Sequence, residues 1–194
     1  MKKLLITGFD PFGGQTVNPS YLAVQALPKR VGEFEIYSLE IPTIFGDAAR
    51  QVKEYADHVQ PDVILCVGQA GGRDAVTPER IGVNIRDARI ADNAGNQPRG
   101  EFVDREGPAA YFATVPVEKM AQAIRDAGIP ATVSNSAGAF VCNDVLYSLL
   151  HRYAGTKTKV GFVHVPFLPE QGSPSLLLEQ IVLALENAIV ACTD

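Results

Sequence analysis

Residues 46–69 read GDAARQVKEYADHVQPDVILCVGQ, and this stretch decides the fold class. Its first part, 46–59, sets Ala48, Val52, Tyr55, Ala56 and Val59 on one side of a helix, and Pro61 follows as a stop. The run 63–67 is short, continuously apolar and rich in β-branched residues, as expected of a strand covered on both faces. The same pairing recurs in both directions along the chain. Short apolar runs at 4–9, 34–41, 131–134 and 160–165 predict further strands. Helices are predicted between and after them. One opens at Asn18-Pro19 and runs to about Leu27, before Pro28; another, 116–127, ends at Gly128. A third, 141–153, stops near Gly155, and Ser173-Pro174 caps a last one over 175–192. Strands alternating with helices of this length imply right-handed crossovers. The expected fold is α/β: a three-layer α/β/α arrangement with a mainly parallel, twisted central sheet, and 1–194 as a single domain.

Composition agrees and narrows the function classes. The 194 residues carry 17 Lys and Arg against 22 Asp and Glu, a formal charge of −5, and 46% are apolar, enough for a layered core. Basic residues are scattered singly, so the electrostatic footprint of nucleic-acid binding is missing. The opening MKKLLITG starts like a secretory leader, but Gly8, Asp10 and Pro11 interrupt the apolar run too early. No stretch approaches the roughly 18 uninterrupted apolar residues of a membrane span. Three widely spaced cysteines without a CxxC fit neither a disulfide framework nor a structural zinc site. A cytoplasmic protein acting on a small molecule or peptide is expected, with no metal.

The segment 68–107 breaks the alternation. It is rich in Gly, Asp, Asn and Arg, with one predicted strand at 81–85 and a second around 88–90; polar insertions of this length usually carry function or an interface. In an open parallel sheet, ligands bind beyond the carboxyl ends of the strands, so the residues following each strand matter most. After the first comes GFDPFGG, residues 8–14. It matches neither GxGxxG nor the Walker pattern, and its two phenylalanines suggest an apolar wall rather than a phosphate cradle. After the strand 63–67 comes GQAGGR and then TPER, in which Glu79 is either a surface carboxylate beside Arg80 or a site residue. Cys66 reads as strand core and Cys192 as a terminal residue. Cys142 follows SNSAGAFV at a helix start, where free N–H groups and the helix dipole can lower a thiol pKa; it is either a nucleophile or core packing. His58 and His151 lie near helix ends and read as structural. His164 lies near the end of the last strand, where a packed core histidine is the alternative. Cys142, His164 and Glu79 are the set that comes from three different strand ends or loops on one rim, and it has the makeup of a nucleophile, a base and an orienting carboxylate.

Several strings are more specific than this. GFDPFGG with Asn18-Pro19-Ser20, GQAGGR, TPERIGVN, DARIADNAGNQP, SNSAGAFVCN and HVPFLPEQ resemble, in order and across nearly the whole chain, the pyroglutamyl peptidase type I (pyrrolidone-carboxylate peptidase) family of intracellular cysteine peptidases. The resemblance implies removal of an N-terminal L-pyroglutamyl residue from peptides, with Cys142 as nucleophile, His164 as general base and acid, Glu79 as third member and Arg89 near the oxyanion. It implies a lactam pocket with Phe9, Phe12, Ile90, Phe140 and Val141 as walls and Asn18 and Gln69 as hydrogen-bonding groups, Thr43 and Ile44 lying near them. It also implies a homotetramer without cofactor. Asn18 and Gln69 could equally serve as turn and cap residues. The chain departs from the expected pattern at Gly82, Ala91, Ala94 and Ala139, none of which is a reacting group. A ligand-binding module with an inert Cys142, or a nucleoside phosphorylase, would be the rival readings.

Overall fold

The structure, a computed structural model, describes residues 1–193. In chain order its main elements are β1 (Lys2–Phe9), α1 (Pro19–Ala26), β2 (Arg30–Val31), β3 (Phe34–Ile41), α2 (Asp47–Val59), β4 (Val63–Gln69), β5 (Thr77–Pro78), β6 (Ile81–Val83), β7 (Ala110–Phe112), α3 (Val117–Asp126), α4 (Val141–Arg152), β8 (Lys159–Val165) and α5 (Leu178–Val190). The central sheet has the order β2-β3-β1-β4-β8-β5. Its four long strands are parallel, and the two short edge strands run antiparallel to their neighbours. β6 and β7 form a separate antiparallel ribbon.

Strand side chains alternate between two cores. Leu4, Ile6, Leu65, Val67, Val163 and Val165 pack with α1, α3 and α5; Leu5, Ile64, Cys66, Val160 and Phe162 pack with α2 and α4. Burial on both faces explains why these strands read as unbroken apolar runs. The α/β/α architecture with a mainly parallel sheet is therefore the observed one. A glycine is required where α1 crosses β1: a Cβ on Gly8 would lie 2.5 Å from Tyr21 Cα, closer than any side chain allows.

Four boundaries differ from the sequence reading. Residues 131–134 form only isolated bridges, Ala131 to Val76 and Ser134 to Glu79. The backbone bonds on either side are made, Thr132 N donating to Val76 O and Ser134 N to Pro78 O, but Pro78 has no N–H to continue the ladder between them. No strand forms at 88–90, because Ala88 N donates to Pro98 O and the Ala88 and Arg89 carbonyls accept from the Gln97 side chain. The predicted strand 81–85 ends at Val83, where Ile85 N turns back onto the Val83 carbonyl. The last helix begins at Leu178 rather than at 175, and Ser173-Pro174 does not cap it: Leu176 N is spent on Phe167 O, and the Gln180 side chain accepts from Leu177 N.

Candidate active site

The carboxyl ends of β4 and β8 and the start of α4 meet at one point. Gly68, near the end of β4, is the register partner of His164 on β8. Cys142 belongs to the first turn of α4 and sits directly over the same glycine: a Cβ there would come within 2.9 Å of Cys142 Sγ and 2.8 Å of the Phe162 ring. The thiol thus rests on a residue without a side chain whose strand partner is His164. β5 pairs antiparallel with β8, Thr77 opposite His164, and this brings Glu79 alongside.

His164 Nδ1 lies 2.7 Å from Glu79 Oε1. The carboxyl is fully buried and the imidazole 4% exposed. Burial pushes the Glu79 carboxyl up, but the hydrogen bond and charge of His164, with Arg73 behind them, outweigh it and hold the group below the usual carboxylate range. An ionised carboxylate only accepts, so the Nδ1 that faces Glu79 is a protonated nitrogen, and Nε2 is the ring nitrogen left for exchange with a reacting group. Arg73 Nη1 donates to the same Oε1 at 2.6 Å. The Ser134 hydroxyl donates to the Ser136 carbonyl instead, which leaves Glu79 Oε2 without a hydrogen-bond donor among the described residues.

The thiol departs from the sequence reading. Burial pushes Cys142 up to about 12, with the charge of Glu79 reinforcing it, while Arg73 and the backbone N–H at the helix start act in the opposite sense. The helix terminus is present but does not win, because water has been removed and a carboxylate lies nearby. Cys142 as a residue is nevertheless half-buried, whereas Cys66 and Cys192 are buried. Such a thiol needs its proton removed as it reacts, and a neutral imidazole is suited to do that.

Around this centre, the 8–14 loop is fixed by Asp10, whose Oδ1 accepts from Thr43 N at 2.7 Å and Thr43 Oγ1 at 2.8 Å. Phe12 and Phe140 approach with ring centroids 6.0 Å apart, Phe45 meets Phe140 edge-on, and Ile90 reaches over Gly13. Phe9 and Val141 are buried in the core below, Phe9 against Phe162. The Asn18 amide is occupied locally: Oδ1 accepts from Ser20 N and Oγ, and Nδ2 donates to Asp10 O. Gln69 Oε1 accepts from Gln171 Nε2 at 2.9 Å. Arg89 is exposed, and its loop is docked against the approach to α4 by Asp87 N donating to Ala139 O and by Arg86 Nε on Asp144 Oδ1 at 2.7 Å. At Ala139 it is therefore the backbone that holds the loop. Gly82 lies against α4, where a Cβ would meet Tyr147 N at 3.1 Å; alanine there needs a shift of a few tenths of an ångström.

Comparison with known proteins places the whole chain. The family model for pyroglutamyl peptidases matches residues 2–194. The chain belongs to the pyroglutamyl peptidase family. Among curated relatives, a pyrrolidone-carboxylate peptidase of Bacillus mycoides is 46% identical, covering 100% of this chain and 94% of the relative. One from Bacillus thuringiensis is 47% identical over the same shares. The crystal structure of pyroglutamyl peptidase I from Bacillus amyloliquefaciens superposes with a TM-score of 0.96 at 46% identity, covering 99% of this chain and 97% of that one. The pyrrolidone carboxyl peptidase of Thermococcus litoralis gives 0.94 at 39% identity, covering 98% and 93%. Membership in this peptidase family makes the chain a cysteine peptidase and removes both the binding-module and the phosphorylase readings. No helix of this peptidase among the described residues is long and apolar enough to cross a membrane. Sequence reasoning did not single out Arg73, Thr77 or Ser134; the one available signal was the Gly-Gly-Arg turn a few residues ahead of Glu79.

Proposed function

We propose that the chain hydrolyses the amide bond after an N-terminal L-pyroglutamyl residue of peptides, with Cys142 as nucleophile, His164 as general base and then acid, and Glu79 as the carboxylate that orients it. The observation that carries this reading is the convergence on Gly68: the Cys142 thiol rests on it, and its strand partner is His164, whose Nδ1 is held 2.7 Å from a buried carboxylate. In the first half-reaction the Cys142 proton passes to His164 Nε2 as Sγ bonds to the pyroglutamyl carbonyl carbon. The resulting oxyanion is met by N–H groups at the start of α4, with Arg89 beside them. Collapse breaks the C–N bond, the leaving amine takes the proton from His164, and a thioester remains. His164 then removes a proton from water, the hydroxyl adds to the thioester carbon, and free pyroglutamate departs as the thiol is restored.

Phe12, Phe140 and Ile90 offer flat apolar contact to the uncharged ring, with Phe9 and Val141 supporting them; Asn18, through the second N–H of an amide otherwise spent on Ser20 and Asp10, and Gln69, through its amide nitrogen, supply polar groups at its edge. A free ammonium in that position would be buried without a partner, which favours the lactam. The reading extends to one catalytic domain over the whole chain, a reducing cytoplasmic setting that keeps Cys142 a free thiol, and a homotetramer, for which the exposed Leu177, Leu183 and Val190 speak. The test is hydrolysis of a pyroglutamyl amide of a fluorescent amine by Cys142→Ala and Cys142→Ser. Both variants should lose turnover by a factor on the order of 1,000 or more; undiminished turnover in either overturns the assignment.

A further inference from the structure

The triad leaves one charged residue at the centre without a role. Arg73 follows the glycine turn after β4, and its guanidinium reaches three segments at once. Nη1 donates to Glu79 Oε1 at 2.6 Å and to Thr77 Oγ1 at 2.5 Å, and Nη2 donates to the Ser136 carbonyl at 3.0 Å. The loop beginning at Ser136 leads directly into Cys142. The Arg73 side chain is 32% exposed, whereas Glu79 is fully buried.

We infer that Arg73 is a positioning residue for the reaction, clamping the Glu79 carboxylate and, through it, the His164 ring. This rests on the triad proposed above. The geometry explains why a clamp is needed. His164 and Arg73 both bind Oε1, and Oε2 receives no donor, so the imidazole bond alone would leave the carboxylate free to pivot about a single contact. Arg73 ties that oxygen to the Ser136 carbonyl, in the loop that leads to the nucleophile. The planar fork of arginine holds a carboxylate and a carbonyl together in a fixed geometry, which the freely rotating ammonium of lysine does not impose. A buried carboxylate that has lost this donor also takes up a proton more readily, and a protonated Glu79 no longer fixes the Nδ1–H tautomer. The titratable and charged groups facing Glu79 are His164 from β8, Cys142 from α4 and Arg73 itself, so removal of Arg73 deletes the cation that does not take part in proton transfer.

Arg73 also lines a surface cleft of about 570 Å³, with Asp74, Thr77, Ser134 and Ser136 among its walls. The guanidinium position is therefore reachable from solvent, which makes chemical rescue a direct test. Arg73→Ala should lower kcat by roughly 10- to 100-fold, the usual cost of losing a group that holds a reacting residue's partner, with KM nearly unchanged. Its acid limb in kcat/KM should move to higher pH, because Glu79 protonates earlier. Millimolar guanidinium should restore part of the lost kcat in a saturable way, and Arg73→Lys should lie between Ala and wild type. In a Glu79→Gln background, Arg73→Ala should add little further loss, since its action passes through Glu79. Wild-type kcat in Arg73→Ala, or a loss that is neither rescued nor accompanied by movement of the acid limb, overturns the inference. So does full additivity with Glu79→Gln. If Arg73→Ala does not fold, Arg73→Lys decides the matter: unchanged kcat and an unmoved acid limb overturn the role. Failure of the triad itself is separately visible, as undiminished turnover in Cys142→Ala.

Discussion

At the scale of single residues, the proposed centre depends as much on a missing side chain as on the three residues assigned to react. Gly68 has an ordinary strand conformation, so its requirement is steric: Cys142 Sγ and the Phe162 ring occupy the volume a methyl group would take, at 2.9 and 2.8 Å. Gly68→Ala must push the thiol off the strand or displace Phe162, whose ring packs 4.8 Å from that of His164. Either shift disturbs the alignment of nucleophile and base, and a displacement near 1 Å can cost about 100-fold in rate. The expected outcome is a folded protein with kcat/KM lowered by roughly that factor and slower alkylation of Cys142 by iodoacetamide, read by mass spectrometry on the intact chain. Wild-type values in both measurements would show that the thiol does not need to rest on β4.

At the scale of elements, α4 organises the site, and the residues after Cys142 explain how. Asn143 ties the helix to β6 and the turn beyond it, accepting from Val83 N and donating to the Val83 and Ile85 carbonyls. Asp144, also fully buried, accepts from Gly46 N at the start of α2 with one oxygen and from Arg86 Nε with the other. Asp144→Ala removes both bonds and leaves the Arg86 cation, itself largely covered, without its partner, a change that typically costs about 3–5 kcal/mol. Chemical denaturation should show a loss of that order, and hydrogen exchange should rise across 86–97, the segment that carries Arg89 and Ile90; unchanged protection there would show that the loop is held without Asp144. These links also mark how far the sequence could be read. The strands at 4–9, 34–41, 63–67 and 160–165 were legible because burial on both faces writes an apolar run into the chain. Cys142, His164 and Glu79 were legible because each follows or ends such a strand or opens a helix. The interruption at 131–134 was not, since it comes from an absent N–H on Pro78 in a different segment. Arg73 was not legible either, because its three partners meet only in the folded chain, and the raised Cys142 thiol reflects burial that the helix start alone does not reveal.

At the scale of the whole molecule, α5 covers one face of the sheet with Ile181, Ala184, Leu185, Ala188 and Ile189, a complete core-facing stripe. Leu183 and Val190, two helical turns apart, remain 42% and 47% exposed on its outer side, with Leu177 exposed at its entry. Spacing by seven residues sets Leu183 and Val190 in one row, and single exposed apolar residues would need no explanation, whereas a row flanked by polar Glu186 and Asn187 fits a contact with another copy. Charge placed in that row tests the idea without touching the proposed catalytic centre at the carboxyl ends of β4 and β8. Leu183→Glu combined with Val190→Glu should leave the fold intact, since neither side chain belongs to the buried stripe, and should shift the light-scattering mass from a multiple of the chain toward that of one chain. Hydrolysis per chain measured on both species then separates assembly from chemistry: similar kcat values are expected if each subunit carries its own complete centre, as the convergence of Cys142, His164, Glu79 and Arg73 within one chain argues. A wild-type protein that scatters as a single chain would remove the assembly proposal and leave the catalytic reading untouched.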